Sequence, residues 1–218
     1  MYQKINGGEY RRIFVVGDIH GCYKKLMDSL GRVAFDRSSD LLVSVGDLAD
    51  RGPQNTECYE LLNAYWFRAV RGNHEQMAID VLAGDEADTW IANGGRWFFL
   101  LEGNNRYQVE QLIKQLIKQA EQLPLVIEVT TDNGKYVIAH ADYPSDEYVY
   151  GKFVDEHLVL WNRKRLNAAM KGESDEISGA DKFIFGHTPL VKPSLFKNQL
   201  YIDTGAVFGN TLTLIQIQ

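Results

Sequence analysis

Gly46-Asp47-Leu48-Ala49-Asp50-Arg51-Gly52 is the stretch on which the reading of this chain turns. It follows Leu41-Leu42-Val43-Ser44-Val45, an apolar, β-branched run of the length of a buried strand. Two further runs end in the same manner. Ile13-Phe14-Val15-Val16 leads into Gly17-Asp18-Ile19-His20-Gly21, and Phe67-Arg68-Ala69-Val70 leads into Arg71-Gly72-Asn73-His74-Glu75. Behind each motif the apolar residues return at helical spacing: Tyr23, Leu26, Met27, Leu30 and Val33, then Leu61, Leu62 and Tyr65, then Met77, Ala78, Val81 and Leu82. Pro53 suits the first turn of the second helix. Strand, polar loop and helix, repeated, is the βαβ grammar of a parallel sheet, in which ligands sit at the carboxyl ends of strands. The motifs are expected to meet there.

Residues 84–124 read as a helical and aromatic insertion or cap. Trp90, Asn93-Gly94-Gly95, Trp97, Phe98 and Phe99 lie in its irregular part, and they suit a packed subdomain better than a base-stacking platform. Residues 106–122 predict an amphipathic helix, with Val109, Leu112, Ile113, Leu116, Ile117 and Ala120 on one face. After Pro124 the pattern turns to strands. Two runs flank the turn signal Asp132-Asn133-Gly134, and the second enters His140-Ala141-Asp142. A helix is predicted over 155–170, holding Trp161 and Arg163. Phe183-Ile184-Phe185 then leads into Gly186-His187-Thr188-Pro189, and closing strands are predicted at 200–203 and 212–215. With no repeat or linker, the expectation is one α/β (α+β) domain over 1–218, two sheets flanked by helices.

Composition is ordinarily globular, 45% hydrophobic and 24% charged over 218 residues. No run approaches the roughly 20 apolar residues of a membrane span, and the first residues lack a signal peptide's apolar core, so a cytoplasmic protein is expected. Cys22 and Cys58 are not spaced as a CxxC pair and read as free thiols. A net charge of −6 argues against nucleic acid, and a phosphate-bearing substrate would need a local positive focus.

Of five histidines, His20, His74, His140 and His187 lie at strand ends beside small or polar residues; His157 sits in a predicted helix without a partner motif. Asp18, His20, Asp47, Asn73, His140 and His187 combine carboxylate, imidazole and amide donors, a set for hard or borderline divalent metals. Six are too many for one ion that must keep an open position. They suit two ions bridged by a carboxylate about 3.5–4 Å apart, an arrangement that serves in-line displacement at phosphorus. Arg51, Arg71 and Arg163 could bind phosphate, Arg51 standing out by its place between Asp50 and Gly52. His74 follows Asn73 and cannot easily face the same ion. It is the candidate general acid, with Asp50 holding its imidazolium.

Those three motifs, together with His140-Ala141-Asp142-Tyr143-Pro144, Trp161-Asn162-Arg163, Phe185-Gly186-His187-Thr188-Pro189 and residues 201–208, resemble the signature of the phosphoprotein phosphatase family of calcineurin-like metallophosphoesterases, in its phage and bacterial branch. The resemblance implies a central two-sheet β-sandwich with helices outside. It implies Asp18, His20 and Asp47 on a first metal, and Asp47, Asn73, His140 and His187 on a second. Mn²⁺ is the usual activator, with Fe, Zn, Ni or Co as alternatives. His74 and Asp50 match the acid and its orienter, and Arg51, Arg163 and Arg71 the phosphate contacts. The implied reaction hydrolyses phosphomonoesters on Ser and Thr of phosphoproteins, extending to Tyr, His and small aryl phosphates, by direct attack of a metal-bridging hydroxide. Two other readings stand beside it. Symmetrical diadenosine tetraphosphate hydrolases share the first motif but typically lack an acid where Asp50 stands, and a non-catalytic phosphate-binding module would usually have lost a ligand or the acid.

Overall fold

The chain makes ten strands: β1 (Tyr2–Asn6), β2 (Arg12–Val16), β3 (Asp40–Ser44), β4 (Phe67–Ala69), β5 (Val126–Thr131), β6 (Gly134–Ala139), β7 (Lys182–Phe185), β8 (Ser194–Phe196), β9 (Gln199–Tyr201) and β10 (Leu214–Gln216). The computed structural model describes all residues 1–218. One sheet runs β10-β2-β3-β4, with β2, β3 and β4 parallel and β10 antiparallel to β2. The other runs β1-β5-β6-β7-β9-β8 and is mixed.

Ile13 and Val15 of β2 and Leu41 and Val43 of β3 pack in one core with Ile127, Val129, Ile138 and Ile184 of the other sheet. The alternate residues Phe14, Val16 and Leu42 pack in a second core with Leu26 and Leu30 of α1 (Tyr23–Arg32) and Cys58 of α2 (Asn55–Glu60). Both faces of these strands are covered, which is why their sequences are continuously apolar rather than alternating. On the far side, Val137, Phe183, Phe185 and Tyr201 meet Val159, Leu160 and Leu166. A fourth core joins α3 (Asn73–Ala83), the turns α4 (Asp88–Trp90) and α5 (Arg96–Phe99), and α6 (Arg106–Ala120).

Several expectations are corrected. Gln54 caps α2, so Pro53 lies outside the helix, and Tyr65 is exposed beyond its end. Val109 and Leu112 of α6 are exposed; the buried stripe is Ile113, Leu116, Ile117 and Ala120. The helix over 155–170 breaks into α7 (Glu156–Trp161) and α8 (Lys164–Met170). Asn162 is extended at the break, its amide donating to Asp142 Oδ2 at 2.7 Å and its Oδ1 accepting from the Lys164 N–H at 3.1 Å. Those bonds outcompete a helical turn and leave Arg163 at the bend. Strands β1 and β8 gave no sequence signal because both are sheet edges, where polar residues are tolerated.

Candidate metal centre

The loops leaving β2, β3, β6 and β7 carry Asp18 and His20, Asp47 and Asp50, His140, and His187 respectively, and α3, which follows β4, opens with Asn73 and His74. All eight are buried. His20, Asp47, Asp50, Arg51 and His187 hold left-handed backbone angles, φ 45 to 75°. For residues with a Cβ this conformation costs of order 1–2 kcal/mol each, and it persists only where the surroundings over-determine it. Here they do. The Ile19 and His20 N–H groups donate to Asp47 O at 3.1 and 2.9 Å, and Gly21 N–H donates to Leu48 O at 2.9 Å. The first two motifs touch so closely that a Cβ on Gly52 would overlap the His20 carbonyl oxygen.

Glu75 staples the second motif to the third. Its carboxylate accepts from the N–H groups of Asp47, Leu48 and Gly72 at 2.8–2.9 Å. Burial, with the nearby charge of Asp47, pushes its pKa up to about 7. The motif's spacing does not reveal this role, since two of the N–H groups that Glu75 meets lie 28 and 27 residues away.

Two groups of ligand-type atoms share Asp47: His20, Asp47 and His74, and Asp47, His140 and His187, the atoms of each group lying within 4.8 Å of one another. Tautomers follow from the backbone. His20 Nδ1 donates to Ala49 O at 2.9 Å and His140 Nδ1 to Val45 O at 2.8 Å. Burial lowers the pKa of both rings, His20 to about 3, so each presents an Nε2 lone pair. That of His140 faces Asn73 Oδ1 at 2.8 Å and Asp47 Oδ1 at 3.5 Å. That of His20 faces Asp47 Oδ2 at 3.5 Å. Around His140 Nε2, Asn73 Oδ1 and Asp47 Oδ1 the lone pairs converge without a proton to share, which makes a seat for a cation, so the residues present fit divalent metal ions. His187 Nδ1 lies 2.9 Å from the same Asn73 oxygen. Asp18 is not in the first group: its carboxylate accepts from the His187 N–H at 3.1 and 3.0 Å. Burial and the charges of Asp203 and Asp47 raise its pKa well above the carboxylate range.

His74 Nδ1 lies 2.7 Å from Asp50 Oδ2, and its Nε2 points toward Asp47 Oδ2 at 3.9 Å. Burial alone would lower its pKa, but the charge of Asp47 and the bond to Asp50 outweigh it and raise it. Asp50 accepts two more N–H donors, from Trp90 and Trp97. Arg51 and Arg163 are exposed residues that reach inward, Arg51 Nη1 to His20 Nε2 at 2.6 Å and Arg163 Nε to His187 Nε2 at 3.2 Å. Arg71 turns elsewhere. Its Nη1 donates to Gln76 Oε1 at 2.6 Å and pairs with Glu156 at 3.2 Å, so the structure does not bring it to the other arginines. His157 stacks on Trp161, outside both groups. No helix is long and apolar enough to cross a membrane.

The chain matches the calcineurin-like phosphoesterase family over residues 11–204. It is 50% identical over 218 residues to serine/threonine-protein phosphatase 1 of Salmonella typhimurium, covering 100% of this chain and 97% of that one. It is 30% identical over 230 residues to the asymmetrical bis(5'-nucleosyl)-tetraphosphatase PrpE of Halalkalibacterium halodurans, covering 93% and 88%. A solved protein serine/threonine phosphatase from Saccharomyces cerevisiae superposes with a TM-score of 0.59 at 14% identity, over 92% of this chain and 70% of that one. With its motifs at one sandwich edge and the match spanning nearly all of its length, this chain belongs to the calcineurin-like phosphoesterase family.

Proposed function

We propose that the protein is a metal-dependent phosphoprotein phosphatase that hydrolyses phosphomonoesters on Ser and Thr, and on small aryl phosphates. The observation that carries this is the pair of ligand groups sharing Asp47, with Asp50 bonded to His74, a member of one of them. The full-length relative named a serine/threonine-protein phosphatase supports the substrate class. By the family resemblance, Asp18 would join His20 and Asp47 on one ion, and Asp47, Asn73, His140 and His187 would hold a second, with Mn²⁺ the first candidate. Such ions supply Lewis acidity to phosphoryl oxygens and lower the pKa of a water.

The remaining work falls to the chain's own side chains. Arg51 and Arg163 present planar forks to the phosphate oxygens and orient the ester. His74 gives the proton on Nε2 to the leaving oxygen, while Asp50 fixes the ring through Nδ1. Arg51 also lies over the exposed ring of Phe208, 5.8 Å from its centroid, which places an apolar surface beside the phosphate seat. Phosphoproteins of the cytoplasm are the proposed partners.

Purified protein should hydrolyse p-nitrophenyl phosphate and a phosphothreonine peptide, lose both activities on chelation, and regain them with Mn²⁺. Undiminished turnover in metal-free protein would overturn the proposal. The PrpE relative makes dinucleoside tetraphosphates the second substrate to try. A higher kcat/KM on a dinucleoside tetraphosphate than on the peptide would move the assignment to that class.

A further inference from the structure

The insertion meets the site at Asp50. This buried carboxylate takes three N–H donors: His74 Nδ1 at 2.7 Å and Trp90 Nε1 at 2.8 Å on Oδ2, and Trp97 Nε1 at 2.7 Å on Oδ1. Trp90 and Trp97 bracket the turn Ile91–Gly95, and that turn also binds backbone, the Arg51 N–H donating to Gly94 O at 3.3 Å. The packing tolerates only glycine there. A Cβ on Gly94 would come within 2.6 Å of Arg51 Cγ, and one on Gly95 would overlap the Trp90 indole. Asp50 and Arg51 both have left-handed backbones, so this wall supports a strained corner that also carries catalytic candidates.

An indole N–H can only donate, and it rides on a rigid ring. Two of them, one on each oxygen, fix the plane of the Asp50 carboxylate. Asp50 cannot turn without breaking one of these bonds, so the Oδ2 that meets His74 keeps its direction. The imidazole is held from behind with Nε2 toward Asp47.

We propose that Trp90 and Trp97 are positioning residues for proton donation. They hold Asp50, and through it His74 Nε2, on the line along which the leaving oxygen departs. The proposal rests on the phosphatase reading above. It differs from simple core packing, which would need the rings but not their N–H groups.

Trp97 is only partly buried, so Trp97→Phe keeps the ring and removes one donor at small risk to folding. The Mn²⁺-loaded variant should be assayed on a series from 2,4-dinitrophenyl phosphate, which needs little protonation, to phenyl phosphate, which needs much. The expected result is about a tenfold fall in kcat on phenyl phosphate, less than about twofold on the dinitrophenyl ester, and an unmoved KM. In a His74→Asn background the same substitution should cost nothing further. A fall equal across the series, or one that adds to His74→Asn, overturns the proposal while the wild-type activity leaves the phosphatase reading standing. A wild-type protein inactive on the whole series removes both. A readout independent of turnover is available from the four indole N–H resonances of ¹⁵N-tryptophan-labelled protein. Asp50→Asn should shift two of them, those of Trp90 and Trp97, and an unchanged spectrum would overturn the proposal.

Discussion

Asp40 and Asp47 are two buried carboxylates at opposite ends of β3, and they solve burial in opposite ways. Asp40, at the amino end, is filled with donors. Arg11 binds it in a fork at 2.9 and 2.8 Å, Arg12 adds bonds from Nε and Nη2 (the shortest 2.6 Å), and the Asp36 N–H adds another at 2.9 Å. Asp47, at the carboxyl end, has one hydrogen-bond donor to its carboxylate, the His74 N–H at 3.0 Å; its other neighbours are ring nitrogens at 3.5–3.9 Å. A carboxylate whose lone pairs are met by guanidinium groups is part of the scaffold. One left short of donors among imidazole lone pairs is arranged for a guest. The strand thus carries structure at one end and the proposed chemistry at the other.

Asp47→Asn tests the contrast most severely. Because both ligand groups use this residue, the variant should lose both metals by elemental analysis, and phosphatase turnover should fall by roughly 10⁴-fold or more. His187→Ala, touching one group, should lose about one equivalent. Equal retention of metal in the two variants would break the shared-carboxylate reading. His74→Asn comes next, with a loss of about 10²–10⁴-fold in kcat and metal content intact. Loss of metal from that variant would instead make His74 a ligand, a role its place beside His20 and Asp47 allows geometrically.

Glu75→Gln probes the scaffold directly beneath Asp47. The carboxylate accepts three backbone N–H groups, and a glutamine would turn an N–H₂ toward at least one of them. One frustrated buried donor costs about 1–3 kcal/mol, measurable as a lower denaturant midpoint with an unchanged slope. A variant as stable as the wild type would show that the motif loops are held by their other backbone bonds.

Most of the proposed centre was legible because it is local in sequence. Asp18 and His20, Asp47 and Asp50, and Asn73 and His74 each follow an apolar run directly, and buried parallel strands carry their chemistry at the carboxyl end. What stayed hidden depends on bonds between distant segments. Trp90 and Trp97 read as core aromatics because an indole N–H leaves no periodic trace, and the acceptor lies 40 and 47 residues away. Arg71 stood in a motif but is held by Gln76 and Glu156, the second from a helix 85 residues on. The break at Asn162 was invisible for the same reason: Asp142, which draws the amide out of the helix, lies in another loop.

The smallest effect is expected at the other end of β3. Burial alone would raise the pKa of Asp40, but the hydrogen bonds from Arg11 and Arg12 outweigh it and hold the group well below the usual carboxylate range. A folded-state pKa below the unfolded value of about 3.9 means that the ionised form is favoured by folding. The contribution is therefore fully present above the unfolded pKa and is lost as pH falls through the folded one. Asp40→Asn should cost about 1–2 kcal/mol at pH 7, because Arg11 is half exposed and can turn to water once its partner is gone. The difference from wild type should shrink below about pH 4, and activity per folded molecule should not change. A deficit that stayed constant down to pH 2 would assign the effect to lost shape rather than lost charge. A fall in activity at full folding would show that the two ends of β3 are coupled, contrary to the division argued from their donors.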